Sequence, residues 1–366
     1  MYTTEFIKII IQSFSCGADT TMKSRIFAKG LSALVLAAAA PLAFAQDIPS
    51  QTWRWAHFAP PAWGSAQAEL LYAKEIEEKS GGKIKFQFFW SGSLFSFGEL
   101  FGAAKKNAVN VASIVPTYHP SDWPMIGLSN SLPMVWDDAP TAMKVQEYLF
   151  KNNDAVKREL KKNELTPILL HGLPPYRLQC TTPIRTLADL KGKRIRTFGD
   201  WPPYIMEKLG AVPVNIPLGQ IYEGLQKGTL DCGYNPIENA GFLKLSEVAK
   251  FWSDIDFGAI AAYSSFMNTS RYEKLPQNVK KIMDEAAIVA TKFEIDNFDK
   301  LEKQGLEAAR KAGVTIVKFE DQAKLKAMFP DMLQVWEEAM CKKGMCDDAK
   351  SVVADVRKAT AAAKKK

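Results

Sequence analysis

The chain repeats a piece of itself. Gly98-Glu99-Leu100-Phe101 to Lys106-Asn107-Ala108-Val109-Asn110-Val111 matches Gly219-Gln220-Ile221-Tyr222 to Lys227-Gly228-Thr229-Leu230-Asp231-Cys232, position for position, at an offset of 121. Each copy reads as a helix ended by a residue that tolerates a left-handed backbone, Asn107 or Gly228, with a short strand directly after it. A strand precedes each copy as well. Lys83 to Trp90 alternates Ile84, Phe86 and Phe88 on one face, and Arg194 to Phe198 does similar service before the second copy. Strands and helices alternating at this spacing predict parallel α/β sheets, and the duplication predicts two similar lobes.

The remaining periodicities fit that scheme. A strand is expected at Thr52 to His57, a helix from Ser65 to Lys79 stopped by Gly81-Gly82, and a helix from Trp201 to Leu209 feeding a strand at Val212 to Ile216. After Leu275-Pro276, apolar residues recur in steps of three and four, from Val279 through Met283, Ala286 and Phe298 to Leu306. A helix over 277–312 would be about 54 Å long, longer than one lobe is wide, and is expected to brace both. The expected division is lobe I over 46–171, lobe II over 172–260, and a segment over 261–366 that crosses back, carrying the long helix and C-terminal helices.

Residues 1–45 read as a leader. Met22, Lys23, Ser24, Arg25 and Lys29 make a basic start, Leu31 to Leu42 an apolar run, and Ala43-Phe44-Ala45 the small-x-small pattern of a signal-peptidase site. The expectation is translation from Met22, cleavage after Ala45 and export, since the apolar run is too short to span a bilayer. The first 45 residues hold four of the 47 basic residues and two of the 40 acidic ones, so 43 face 38 in the remaining 321. The basic residues are scattered among acids apart from the Lys364-Lys365-Lys366 tail, which gives no stripe for a nucleic-acid backbone.

Export permits disulfides. Cys341 and Cys346 close a short loop around Gly344 and are the favoured bridge, and Cys180 with Cys232 is a second pairing that the spacing leaves open. A C-x4-C pair with three histidines in the chain, His57, His119 and His171, offers no zinc-like ligand set. G-x-S-x-G, H-E-x-x-H, G-x-x-x-x-G-K-[ST] and G-x-G-x-x-G are all missing, so no cofactor and no catalytic residue is assigned. What stands out is basic and aromatic: Tyr176-Arg177, then Lys193-Arg194-Ile195-Arg196. Arg194 and Arg196 share one face of a strand. That face is either a solvated edge or, at the carboxyl end of an open α/β sheet, a guanidinium fork placed for a carboxylate.

These same residues resemble the solute-binding proteins of TRAP transporters, the tripartite ATP-independent periplasmic family. Thr186-Leu187-Ala188-Asp189-Leu190-Lys191-Gly192-Lys193-Arg194-Ile195-Arg196 is similar to a family segment, as are Leu209-Gly210-Ala211-Val212-Pro213 and Gln220-Ile221-Tyr222-Glu223-Gly224-Leu225-Gln226-Lys227-Gly228-Thr229-Leu230-Asp231. The likeness extends from Ala73-Lys74-Glu75-Ile76 to Leu275-Pro276, in order. It implies a two-lobed α/β periplasmic binding protein with a mixed or parallel sheet in each lobe and a cleft between them. It also implies capture of a small organic acid and delivery to membrane permease subunits. Arg196 matches the arginine that pairs with the ligand carboxylate, and Asn235 a ligand-contacting asparagine. Arg177 is the nearest candidate for a second arginine, with Tyr176 in the register itself. Gln220 and Cys232 depart from the family pattern.

By position at strand ends, His57 and Phe58 are expected on the opposing wall, with Val115, Thr117 and Tyr118 after the strand of the first copy and Trp201 as a roof. One arginine among aromatic rings suggests a monocarboxylate with an apolar or aromatic body. A ligand-sensing partner of a membrane receptor, or a secreted enzyme acting on a carboxylic acid, would use the same cleft and stays open at this point.

Overall fold

The computed structural model describes residues 48–364, so the leader and its cleavage site lie outside the described residues. Eleven strands form two sheets. The first holds β1 (Gln51–Ala56), β2 (Ile84–Phe89), β3 (Val111–Ile114), β4 (Leu165–Leu173) and β10 (Ile260–Asn268), in the order β2-β1-β3-β10-β4. The second holds β5 (Arg177–Cys180), β6 (Arg194–Thr197), β7 (Val212–Asn215), β8 (Cys232–Asn235), β9 (Phe251–Ser253) and β11 (Thr315–Val317), in the order β11-β9-β5-β8-β6-β7.

The internal repeat is visible in both sheets. Helix Leu100–Lys105 leads through Asn107, at φ +57°, into β3; helix Ile221–Gln226 leads through Gly228, at φ +67°, into β8. Each left-handed residue ends a helix where the chain must turn at once into a strand. The partner strands correct one sequence expectation. β6 is the equivalent of β1, and it is β7 that takes the place of β2, because β1 lies between β2 and β3 as β6 lies between β7 and β8. The pairings among these strands are parallel.

Of the mixed or parallel sheets expected, both are mixed. β10 runs antiparallel to β3 and β4, and β5 antiparallel to β8 and β9. The cause is topological: β10 enters the first sheet on the return from the second lobe and β5 enters the second directly after β4, so neither follows a βαβ crossover. β4 runs to Leu173 before the chain passes to β5, and β10 begins at Ile260.

The long helix spans Gln277–Lys311, 35 residues and about 52 Å at 1.5 Å per residue. Its first half packs Val279, Met283, Ala286 and Ala290 against Ala68, Tyr72 and Ile76 of helix Gly64–Lys79 in the first lobe. Its far end reaches the second lobe, where Ala309 joins the cluster of Ile237, Leu245 and Trp252. Gly305 lies there against Ile237; an added Cβ would come within 3.0 Å of it, so glycine permits the close approach. The C-terminal helices return to the first lobe, with Trp136 Nε1 donating to Thr360 Oγ1 at 3.1 Å. Both disulfides are formed, Cys180–Cys232 between neighbouring strands β5 and β8, and Cys341–Cys346 across a turn. Among the described residues no helix is long and apolar enough to cross a membrane.

Candidate functional site

A cavity lies between the lobes, lined by side chains from both. Phe58, Trp63, Phe97, Val115, Tyr118 and Asn130 line it from the first lobe. Tyr176, Arg196, Phe198, Leu218 and Asn239 line it from the second, and Leu173, Ile260, Ala262 and Tyr263 from the strands that join the two. Seven of these residues are aromatic, and Arg196 is the one charged group among them.

Arg196 sits near the carboxyl end of β6, buried to 2% exposure. Its Nε donates to Ile216 O at 3.2 Å, Nη1 to Tyr234 O at 3.1 Å and Nη2 to the Tyr118 hydroxyl at 3.2 Å, while the guanidinium lies 4.7 Å from the centre of the Phe198 ring. No carboxylate comes within 4.0 Å of it among the described residues. A guanidinium has five N–H groups. Three are used, which leaves one on each terminal nitrogen. Arg194, two residues earlier, is instead closed off by a two-pronged contact with Asp231, Nε to Oδ2 at 3.0 Å and Nη2 to Oδ1 at 2.8 Å.

The structure brings Phe58, Tyr118, Tyr176 and Arg196 to the cavity and takes five expected residues away from it. Arg177 turns outward: its guanidinium donates to Asp254 O at 2.6 Å and lies 3.7 Å from Glu302. Successive side chains of a strand point to opposite faces, so Tyr176 facing in sends Arg177 out. Asn235 is fully buried behind the lining, its Nδ2 donating to the carbonyl of Pro236 at 2.9 Å. Asn239, one helical turn on, lines the cavity in its place. Thr117 and Trp201 line a second cavity, bounded by Trp336, Met340 and Lys343 of the C-terminal helices. Trp201 opens helix Trp201–Lys208 and is not among the residues that line the first cavity.

His57 also stands one layer back. Its ring stacks on Phe58 at 4.7 Å between centroids. Nδ1 accepts from Ala59 N at 2.7 Å, so Nε2 carries the proton, 3.3 Å from both Glu69 Oε2 and the Tyr263 hydroxyl. Burial, then the charge of His171, holds His57 well below the usual imidazole range. Glu69 is pushed up to about 7 by burial, against the pull of His171 and the hydroxyls of Ser113, Ser265 and Tyr263. Burial lowers His171, but Glu294, 2.9 Å from Nδ1, and Glu69, 3.5 Å from Nε2, outweigh it and hold that imidazole above its ordinary value. His171 stacks on Tyr263 at 4.2 Å, so this buried cluster fixes a ring that forms one wall of the cavity.

Sequence reasoning missed Trp63, Phe97, Asn130, Asn239 and Tyr263. Tyr263 was hidden because β10, a nine-residue run with every residue buried, carries no alternation that separates wall from core. Asn130 lies in the four-residue helix Leu128–Ser131, which no periodicity marks.

Two α/β lobes with an aromatic-lined cavity between them define a small-molecule-binding protein of the two-lobed kind. The chain belongs to the family of bacterial extracellular solute-binding proteins, family 7, whose profile matches residues 55–343, and so to the solute-binding proteins of TRAP transporters. It is 24% identical over 297 residues to the C4-dicarboxylate-binding periplasmic protein of Rhodobacter capsulatus, covering 78% of this chain and 84% of that one. A TRAP solute-binding protein from Rhodoferax ferrireducens, solved with copurified benzoate, superposes with a TM-score of 0.76 at 24% identity over 86% of this chain and 99% of that one. A marine metagenome TRAP protein specific for aromatic acids, solved with 3-hydroxybenzoate, gives 0.76 at 21% identity, over 86% and 98%. These likenesses to solved structures carry the fold.

Proposed function

We propose that this protein is an exported, periplasmic solute receptor. It captures a small monocarboxylate with an aromatic or apolar body by hinge closure and delivers it to the membrane permease subunits of a TRAP transporter. The observation that carries this reading is Arg196, a buried cation without an acidic partner in a cavity where half of the other lining residues are aromatic. Leaving a buried charge uncompensated is strongly destabilising, on the order of 3–5 kcal/mol where a partner has been removed. An incoming carboxylate supplies the missing charge and takes the two spare N–H groups. The rings accept the rest of the ligand, and water leaves as the lobes close, which strengthens the charge-assisted bonds.

A single arginine with no second cation among the lining residues favours one carboxylate over two. Benzoate and 3-hydroxybenzoate, named for the two solved structures above, are acids of this description. The test is a thermal-shift and calorimetric comparison of benzoate, a hydroxybenzoate, succinate and pyroglutamate on the purified chain and on Arg196→Ala. Aromatic monocarboxylates are expected to raise the melting temperature and succinate to do so least. Binding of acids by Arg196→Ala with wild-type affinity would overturn the reading. A turnover assay on the bound acid is expected to return it unchanged, and co-purification is expected to recover permease subunits rather than a signalling receptor.

A further inference from the structure

The cavity holds two polar side chains that an aromatic monocarboxylate would leave unsatisfied. Asn130 and Asn239 are buried to 2% and 1% exposure, one from each lobe, and both line the cavity. The Oδ1 of each has no hydrogen-bond partner. Amide orientation is often ambiguous, but for Asn130 the surroundings fix it. Its amide nitrogen contacts the carbonyl oxygen of Ala261, an acceptor that only an NH2 group can satisfy, so the other atom is the oxygen. Nearly all buried polar atoms in folded proteins are paired, and each exception needs a reason.

We infer that Asn130 is a specificity-determining residue and that the ligand carries, besides its carboxylate, a hydrogen-bond donor: a hydroxyl or N–H group that Asn130 Oδ1 accepts. This rests on the reading of the cavity as a site for aromatic monocarboxylates and narrows it. Arg196 and the neutral amide oxygens ask for opposite partners. The guanidinium takes acceptors; Asn130 Oδ1 takes a donor. A bare aromatic acid satisfies the first and strands the second, whereas a hydroxylated or amino-substituted one satisfies both. Asn239 Oδ1 is a second acceptor on the other lobe, which a ligand with two donors would use.

The experiment measures calorimetric affinity for benzoate, the three hydroxybenzoates, the three aminobenzoates and the three methoxybenzoates on the wild-type chain and on Asn130→Leu. At least one hydroxy or amino isomer is expected to bind about tenfold tighter than benzoate, and its methoxy counterpart, which accepts but cannot donate, to lose that advantage. In Asn130→Leu the ratio between that isomer and benzoate is expected to collapse toward one. If benzoate binds the wild type and no donor-bearing isomer binds tighter, the inference fails while the proposed function stands. The same holds if the advantage survives in a folded Asn130→Leu. If no aromatic acid binds the wild type, the proposed function fails and this inference with it. The wild-type series needs no variant, so a poorly folded Asn130→Leu leaves the test decisive.

Discussion

Tyr118 and Arg196 meet across the gap between the lobes, the Nη2 of Arg196 donating to the Tyr118 hydroxyl at 3.2 Å. Tyr118 follows β3 in the first lobe and Arg196 belongs to β6 in the second, so this hydrogen bond joins the two lobes. Burial pushes the Tyr118 hydroxyl above its ordinary pKa although Arg196 pulls it down, so it stays a neutral hydroxyl and brings no anion to the arginine. Under the proposed hinge closure the arginine's charge is kept for a ligand, and closure and binding are coupled because the bond joins the lobes.

Tyr118→Phe keeps the ring and removes the acceptor. One hydrogen bond to a charged group is lost from the closed state, so ligand release is expected to quicken about tenfold with little change in association rate. Stopped-flow dissociation of a bound acid reads this directly. An unchanged off-rate would show that the bond does nothing for closure.

Gly199 makes the second close approach between the lobes. It has φ +60°, and a Cβ added there would lie 2.5 Å from Thr117 Oγ1. Gly199→Ala is expected to weaken acid binding well beyond the ~1–2 kcal/mol of left-handed backbone strain, because the clash falls on the closed form. Thr117→Ala in the same chain removes the obstructing oxygen and should restore most of the loss. A double-mutant cycle in affinity measures the coupling, and strict additivity of the two changes would refute it.

Much of this was legible beforehand, and the divide between what was and what was not is physical. The repeat announced two lobes because helix, left-handed stop and strand each leave a local signature, and Asn107 and Gly228 carry it in both copies. The long helix was legible from its apolar period alone. For Arg196, strand position left a solvated edge and a ligand site both open, and the family resemblance singled it out. Arg177 was not, since a shift of one residue along a strand exchanges the two faces, and no local signal sets that register. Trp201 lines a different cavity, together with Trp336 and Met340, more than a hundred residues later in the chain, and no local signal announces that. Asn130 and Tyr263 became visible only once β10 had returned to the first sheet beside them.

The Cys180–Cys232 bridge ties β5 to β8 and closes a span of 52 residues. By chain entropy, a loop of that size stabilises the fold by about 4 kcal/mol, against about 2 kcal/mol for the five-residue separation of Cys341 and Cys346. Replacing both members of the first pair by serine is therefore expected to lower the denaturation midpoint more than the same change at the second. Denaturant titration of the two double variants checks the order, and a larger loss at Cys341–Cys346 would contradict it.

Glu238 gives closure a pH dependence. It sits in helix Ile237–Phe242 of the second lobe, and its Oε1 accepts from Trp63 Nε1 of the first lobe at 3.2 Å, while Oε2 has no partner. Burial, then the charge of Glu294 on the long helix, pushes its carboxyl up to about 8, with the Trp63 bond pulling the other way. The hydroxyls of Tyr176 and Tyr263 are the other titratable groups that feel it, and both stay neutral because burial raises them. Under the proposed hinge motion, opening would separate Glu238 from Trp63 and hydrate it, which would return its pKa toward the ordinary carboxylate value. Between that value and about 8 the open state binds fewer protons than the closed one, so closure weakens as pH rises through this window and levels off above it. Affinity for an aromatic acid, fully ionised throughout, is expected to fall several-fold from pH 6 to pH 8. Glu238→Gln, which keeps the acceptor and cannot ionise, is expected to flatten that slope. Glu69, also raised to about 7, is buried within the first lobe and does not change surroundings on opening, so it moves global stability rather than affinity. An affinity that rises with pH in the wild type, or a slope unchanged in Glu238→Gln, would remove Glu238 from the closing equilibrium.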